Sequence, residues 1–113
     1  MSNTTGEHNT ALGTNALLAN TTGSNNTAFG KDALFFNTTG NFNVAFGHQA
    51  LLNNDSADDN IAVGKDALSK NTVGNSNVAI GTNALFENLI GGQNVAIGKD
   101  TLSKNTTGNS NVA

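Results

Sequence analysis

The sequence contains no cysteine, proline, tryptophan or tyrosine, and its six aromatic residues are all phenylalanine. Without cysteine, the chain can form neither a disulfide framework nor a thiolate metal site. Charged residues make up 12% of the chain, the basic residues are five scattered lysines, and the formal net charge is −3. Because nucleic-acid-binding surfaces carry clustered basic residues, we do not expect a nucleic-acid partner. No apolar run is long enough to span a bilayer, so membrane insertion is not expected either.

A 17-residue period runs through the whole sequence. A motif of Asn, Thr/Val/Ile, Ala, an apolar residue and Gly begins at Asn9 and returns every 17 residues, without insertion or deletion, up to Asn94. An unbroken period of this kind is typical of a solenoid, in which each repeat stacks on the previous one. We therefore predict an all-β parallel β-solenoid, or β-roll, of 17-residue coils that forms a single domain over residues 1–113. The closing Asn-Val-Ala begins a further repeat, so we expect about six and a half repeats from a longer fibre.

The first five positions of each repeat predict a short strand that separates two kinds of side chain. The glycine in the fifth position predicts a corner that needs positive φ or a close backbone approach. Val78 and Ile80 alternate with Ala79, a period of two that suits a pleated surface. The fourth position is always bulky, and a later position is always leucine, so we expect each to form a continuous core stripe. The expected core residues are Phe29, Phe46, Val63, Ile80 and Ile97 in the fourth position, with Leu17, Leu34, Leu51, Leu68, Leu85 and Leu102 in the leucine position.

Asparagine occupies two fixed positions of the repeat. In a parallel stack with a rise of about 4.8 Å, identical asparagines can hydrogen-bond to the copies above and below as an amide ladder. We expect both positions to form structural ladders of this kind that stabilise turns. The first consists of Asn9, Asn26, Asn43, Asn60, Asn77 and Asn94, and the second of Asn20, Asn37, Asn54, Asn71, Asn88 and Asn105.

Both sides of the predicted strand are apolar, but the interior of a narrow coil can bury only one of them. The other side needs a partner, and three copies around an axis would cover it without leaving open edges. We therefore expect a homotrimer, with the alanine position or part of the Leu and Phe positions at the contacts. End-to-end stacking of chains could also occur.

The repeat resembles known fibrous proteins. The unit NTAFGKDALFFNTTGNF, at residues 26–42, is similar to the repeats of phage tail-fibre and adhesin proteins. The shorter NVAIG is similar to the head repeats of trimeric autotransporter adhesins, which form left-handed β-roll trimers. The resemblance implies a left-handed homotrimer located on a virion or cell surface, or otherwise extracellular. It also implies a non-enzymatic structural or adhesive segment that could contact a host receptor or glycan.

Few residues suggest chemistry. The acidic cluster of Asp55, Asp58 and Asp59 could hold Ca²⁺ through carboxylate oxygens, but such a cluster is also typical of a solvated loop. No catalytic constellation is present, so we expect no enzyme activity and no cofactor. Lys-Asp pairs such as Lys31-Asp32 recur every second repeat, which indicates either a charged stripe for a partner or duplication of a two-repeat unit.

Threonine pairs suggest an alternative function, an ice-binding β-solenoid with a flat threonine array. Pairs occur at Thr4-Thr5, Thr21-Thr22, Thr38-Thr39 and Thr106-Thr107. The array is interrupted at Asp55-Ser56, at Val73 and at Leu89-Ile90. These interruptions favour the fibre interpretation.

Overall fold

The computed structural model describes residues 2–113 and shows one short strand in each coil. The six strands are β1 (Thr10–Leu12), β2 (Thr27–Phe29), β3 (Val44–Phe46), β4 (Ile61–Val63), β5 (Val78–Ile80) and β6 (Val95–Ile97). They form a single parallel sheet in the order β1-β2-β3-β4-β5-β6. Equivalent residues of successive repeats are paired, so that Ala11 pairs with Ala28 and Ala28 with Ala45. The predicted parallel β-solenoid of 17-residue coils is therefore confirmed, and its dimensions are 36 × 21 × 16 Å.

Turns make up the rest of each coil, yet their backbone groups also bond from coil to coil. The N–H of Leu17 donates to the carbonyl of Ala33 at 3.0 Å, and the N–H of Gly30 donates to the carbonyl of Leu12 at 2.8 Å. At one corner, the N–H groups of Thr21 and Thr22 both point to the carbonyl of Thr38. Because buried backbone groups need partners, this bonding lets a coil with only three strand residues remain ordered throughout.

The core is built from small residues and one large one. In the four central coils, two alanines and one leucine point inward, and together with Ala16, Leu17 and Ala96 they form a continuous buried cluster. The leucine column is confirmed, since Leu17, Leu34, Leu51, Leu68 and Leu85 are fully buried and Leu102 packs against the cluster. Burial of each leucine contributes about 1.5–3 kcal/mol.

The fourth position of the repeat is not part of this core, and that prediction is wrong. Phe29 is 43% exposed, Phe46 is 52% exposed and Ile97 is 60% exposed. Side chains alternate along a strand, and the narrow coil admits only the methyl group of the central alanine. The residues before and after that alanine therefore face outward. The residues that follow the alanine form a set that we call the outer column, which consists of Leu12, Phe29, Phe46, Val63, Ile80 and Ile97.

The leucines of the core have an unusual backbone conformation. Leu34 has φ of 51° and Leu51 has φ of 52°, in the left-handed region that leucine rarely adopts. This conformation costs about 1–2 kcal/mol per residue. Burial of the side chain and the N–H bond to the next coil offset that cost, and the turn aims each leucine into the core.

Glycine is required where the strand ends. Gly47 has φ of 140°, and a Cβ atom added to it would lie 2.7 Å from the carbonyl oxygen of Gly64 in the next coil. Both the conformation and the close approach of the next backbone exclude a side chain. The predicted glycine corner is confirmed.

Candidate functional site

The second asparagine column forms a buried side-chain ladder, as predicted. Asn37 Nδ2 donates to Asn20 Oδ1 at 2.9 Å, and Asn54 Nδ2 donates to Asn37 Oδ1 at 2.9 Å. The same Nδ2 of Asn37 also donates to the carbonyl of Gly40 at 3.0 Å within its own coil. Each amide therefore ties the stack together and closes the turn of its own coil.

The first asparagine column links coils differently from the predicted amide-to-amide ladder. Asn26 Oδ1 accepts from the backbone N–H of Asn43 at 2.9 Å, and Asn26 Nδ2 donates to the carbonyl of Gly40 at 2.7 Å. The same pattern joins Asn43 to Asn60 at 3.0 Å. This difference arises because the asparagine directly precedes a strand. The backbone N–H of the equivalent asparagine in the next coil therefore lies within reach of its side chain. The ladder is therefore between side chain and backbone.

Both asparagine columns converge on the glycine of the Asn-Thr-Thr-Gly turn. The carbonyl of Gly40 accepts from Asn26 and from Asn37 in the same coil. A Cβ added to Gly40 would overlap the carbonyl oxygen of Ala57 and the Oδ1 of Asn37. These contacts engage the asparagine side chains within the scaffold.

The outer face of the sheet is an exposed apolar surface of the single chain. It contains the outer column and the residues two positions earlier, which are threonine in β1 and β2 and valine or isoleucine in the later strands. The rings of Phe29 and Phe46 stack with centroids 4.7 Å apart and an angle of 5° between their planes. The face is about 29 Å long and about 10 Å wide, from the strand spacing and the rise per residue.

The acidic cluster does not assemble into a metal site. Asp55 accepts from the hydroxyl of Thr38, while Asp58 Oδ1 accepts from the backbone N–H of Asn41 at 2.6 Å. Asp59 is exposed. Within residues 2–113, no three His, Cys, Asp or Glu side chains are grouped as metal ligands. Asp55 and Asp58 instead accept hydrogen bonds from Thr38 and Asn41 of the preceding coil.

Charged residues of the double repeat form two adjacent stripes. Lys31 Nζ lies 4.0 Å from Asp32 Oδ2, and Lys65 Nζ lies 3.8 Å from Asp66 Oδ2. Asn15 Nδ2 donates to Asp32 Oδ1 at 2.9 Å. The neutral residue in every second coil separates like charges that would otherwise lie about 4.8 Å apart. The double period therefore keeps like charges two coils apart in the stack.

The threonine pairs do not present two free rows of hydroxyl groups. The hydroxyl of Thr21 donates to the carbonyl of Thr38 at 3.1 Å, and that of Thr72 donates to the carbonyl of Leu89 at 3.0 Å. The first threonine of each of these coils thus bonds to the neighbouring coil. At Thr21 and Thr72, the hydroxyl is therefore engaged within the stack.

A groove that the sequence analysis missed lies beside the last coils. One wall is a column of Asp66, Asn83 and Asp100, and the other wall contains Phe86 and Ser103, with Glu87 and Lys104 beside them. We call it the Phe86 groove. Its volume is about 280 Å³. Its residues come from three successive coils, so no contiguous motif marks it.

Comparisons with protein families, with curated proteins and with solved structures found no match for this chain. Among residues 2–113, no helix is long and apolar enough to cross a membrane.

Proposed function

We propose that this chain is a structural segment of an extracellular fibre on a virion or cell surface, in which three copies pack through their outer faces. The exposed apolar face of the sheet carries this proposal. Its footprint of about 300 Å² lies at the lower end of the range for the largest apolar patch of a monomeric protein, and such patches are often functional. The segment lengthens the fibre and holds its binding surfaces in place, and it needs no catalysis or cofactor.

A second and a third copy of the same chain are the partners that fit this face best. Every copy has the same repeat of about 4.8 Å per coil, so equal levels meet around an axis parallel to the solenoid. The stacked rings of Phe29 and Phe46 would then face their own counterparts. A closed ring of three leaves no copy of the face exposed, whereas an open arrangement would continue to add chains.

The repeat pattern supports a fibre of the tail-fibre or autotransporter-adhesin type. A surface dominated by Asn, Thr, Ser and Gly, with few charges, suits such a location. The alternative of ice binding has less support, because the hydroxyls of Thr21 and Thr72 donate into the neighbouring coil. Thermal hysteresis and ice shaping are therefore not expected.

Sedimentation equilibrium over a concentration series tests the proposal. The native chain should sediment at three times its mass of 11.5 kDa. Phe46→Lys should give a folded monomer, because this side chain faces solvent in the single chain. The matched control is Phe36→Lys, in a column that already contains Lys70 and Lys104, and it should remain trimeric. A native monomer, or equal loss of assembly in both variants, would refute the proposal.

A further inference from the structure

We propose that neighbouring copies in the trimer meet in a fixed order, in which residues after each strand of one copy bind residues before each strand of the next. The central contact is an ion pair between Lys65 of one copy and Asp59 of the next. This order rests on the trimer proposed above, and it adds which edges meet and which side chains match them.

Two columns of exposed and partly exposed residues flank the outer face, one on each side of the sheet. Each column takes the residue that lies two positions outside the strand in every coil. The residues before the strands form the leading column, which consists of His8, Asn25, Phe42, Asp59, Ser76 and Gln93. The residues after the strands form the trailing column, which consists of Thr14, Lys31, His48, Lys65, Thr82 and Lys99.

The chemistry of the leading column follows the lysines of the trailing column. Lysine occurs in every second coil, and at those levels the leading residue always has a side-chain carbonyl or carboxylate oxygen. The pairs are Lys31 with Asn25, Lys65 with Asp59, and Lys99 with Gln93. At the other levels the leading residue has no such group, and the residues are His8, Phe42 and Ser76. Because the three oxygen-bearing residues differ in type, the acceptor is kept while the residue itself is not.

The two columns cannot make these contacts within one chain. The strand lies between them, and at about 3.3 Å per residue it holds them more than about 10 Å apart. Among residues 2–113, the aspartates in ion pairs are Asp32 and Asp66, and Asp59 takes part in none. The match between the two columns therefore fits a contact between chains.

Three-fold symmetry brings the two columns together. In a closed ring around an axis parallel to the solenoid, the strands of all copies run round the axis in the same direction. The trailing edge of each copy then meets the leading edge of the next at the same level. Lys65 Nζ lies 3.8 Å from Asp66 Oδ2, but its side chain is 64% exposed and its ammonium group has three donors. Lys65 can therefore bind Asp59 of the next copy as well.

The same order covers an aromatic residue that the single chain leaves in water. Phe42 is 58% exposed, although its neighbours in the leading column are the polar residues Asn25 and Asp59. At this level the trailing residue is His48. In the ring, Phe42 of one copy packs against the imidazole of the next, and aromatic pairs of this kind are favourable.

Reversal of one charge tests the ion pair. Asp59→Lys places two lysines opposite each other at every contact of the ring, so the concentration at which the trimer dissociates should rise at least about tenfold. The matched control is Glu87→Lys, which makes the same change of charge in a column that already contains Lys70 and Lys104. It should leave that concentration unchanged. Circular dichroism checks that both variants are folded, and equal weakening in the two would contradict the ion pair.

Zero-length cross-linking tests the order of the edges directly. Unlabelled and ¹⁵N-labelled chains are refolded together and treated with a water-soluble carbodiimide, which joins a lysine to a carboxylate in contact with it. Mass spectrometry should find Lys65 joined to Asp59 in peptide pairs that combine one labelled and one unlabelled chain. Asp59→Asn keeps an oxygen acceptor, as Asn25 does at the level of Lys31, so this variant should remain trimeric and lose the cross-link.

Sedimentation of the same samples separates the two proposals. A trimer without the mixed Lys65–Asp59 link, or with this link only inside single chains, would overturn the order of the edges and leave the fibre proposal standing. A native monomer would refute the fibre proposal, and the order of the edges with it.

Discussion

Asn37 and Asn20 form a buried hydrogen bond between neighbouring coils, in which Asn37 Nδ2 donates to Asn20 Oδ1 at 2.9 Å. Both side chains are fully buried. The same contact recurs along the stack, for example from Asn54 to Asn37 and from Asn88 to Asn71. A polar ladder thus runs through the interior beside the apolar core.

Removal of one asparagine from this ladder should be strongly destabilising. Asn37→Ala removes three hydrogen bonds. Asn20 Oδ1 loses its partner and one hydrogen of Asn54 Nδ2 becomes unpaired, while Asn54 Nδ2 still donates to Ala57 and the Gly40 carbonyl still accepts from Asn26. Unsatisfied buried groups cost about 1–3 kcal/mol each, so we expect a loss of at least about 2 kcal/mol in the free energy of unfolding. Urea denaturation measures it. Asn53→Ala, at a partly exposed position, is the control and should change stability by less than about 0.5 kcal/mol. Equal effects would contradict the ladder.

Alanine in place of the corner glycine should be more destabilising at Gly47, where the backbone of the next coil lies close, than at Gly98. Gly47→Ala and Gly98→Ala share an unfavourable φ, of 140° and 127°. At Gly47 the new Cβ also meets the backbone of Gly64, whereas at Gly98 it meets only the Thr101 hydroxyl, which can rotate away. We expect Gly47→Ala to lower the melting temperature more than Gly98→Ala does. The reverse order would show that φ alone sets the requirement for glycine.

The leucine column should discriminate between side chains of similar volume. Leu51→Met keeps an unbranched Cβ and should cost less than about 1.5 kcal/mol. Leu51→Ile places a β-branched residue at φ of 52°. Such a residue is a genuine outlier in this region, so we expect a cost at least about 1 kcal/mol larger than that of methionine. Thermal unfolding of the two variants compares them directly. Equal stability would mean that the leucine backbone is not held in the left-handed region.

Assembly should strengthen with the number of coils. Duplication of residues 43–76 adds two whole coils without disturbing the period. Each chain then gains about 100 Å² of outer face, worth about 2.5 kcal/mol at ~25 cal/mol/Å². We expect the concentration at which the trimer dissociates to fall at least tenfold, as measured by sedimentation equilibrium. An unchanged concentration would contradict assembly through the outer face.

The sequence predicts the period, the parallel stacking, the glycine corner and the buried leucines, because each depends on one residue type at a fixed phase. It does not predict which side of the strand faces inward. Alternation separates Ala79 from Val78 and Ile80, but only the width of the coil decides that the small residue is inside. Hydrophobicity alone favours burial of Val78 and Ile80, which face outward, over burial of Ala79.

Other features depend on geometry that no single position encodes. Leucine at positive φ has no sequence signal, since glycine or asparagine is the usual residue there. The first asparagine column could not be distinguished from the second, because the difference arises from the backbone N–H that follows it in space. The Phe86 groove is lined by residues from three coils.

The most direct measurement is cross-linking through a cysteine placed on the outer face, since the native chain has none. In a parallel trimer, residue 46 of each chain lies near residue 46 of its neighbours. Oxidation of Phe46→Cys should therefore give a disulfide-linked dimer on a denaturing gel, and a short trifunctional maleimide should give a covalent trimer. Phe36→Cys, on another column, should remain uncross-linked. Equal cross-linking at both positions, or none at residue 46, would contradict assembly through the outer face.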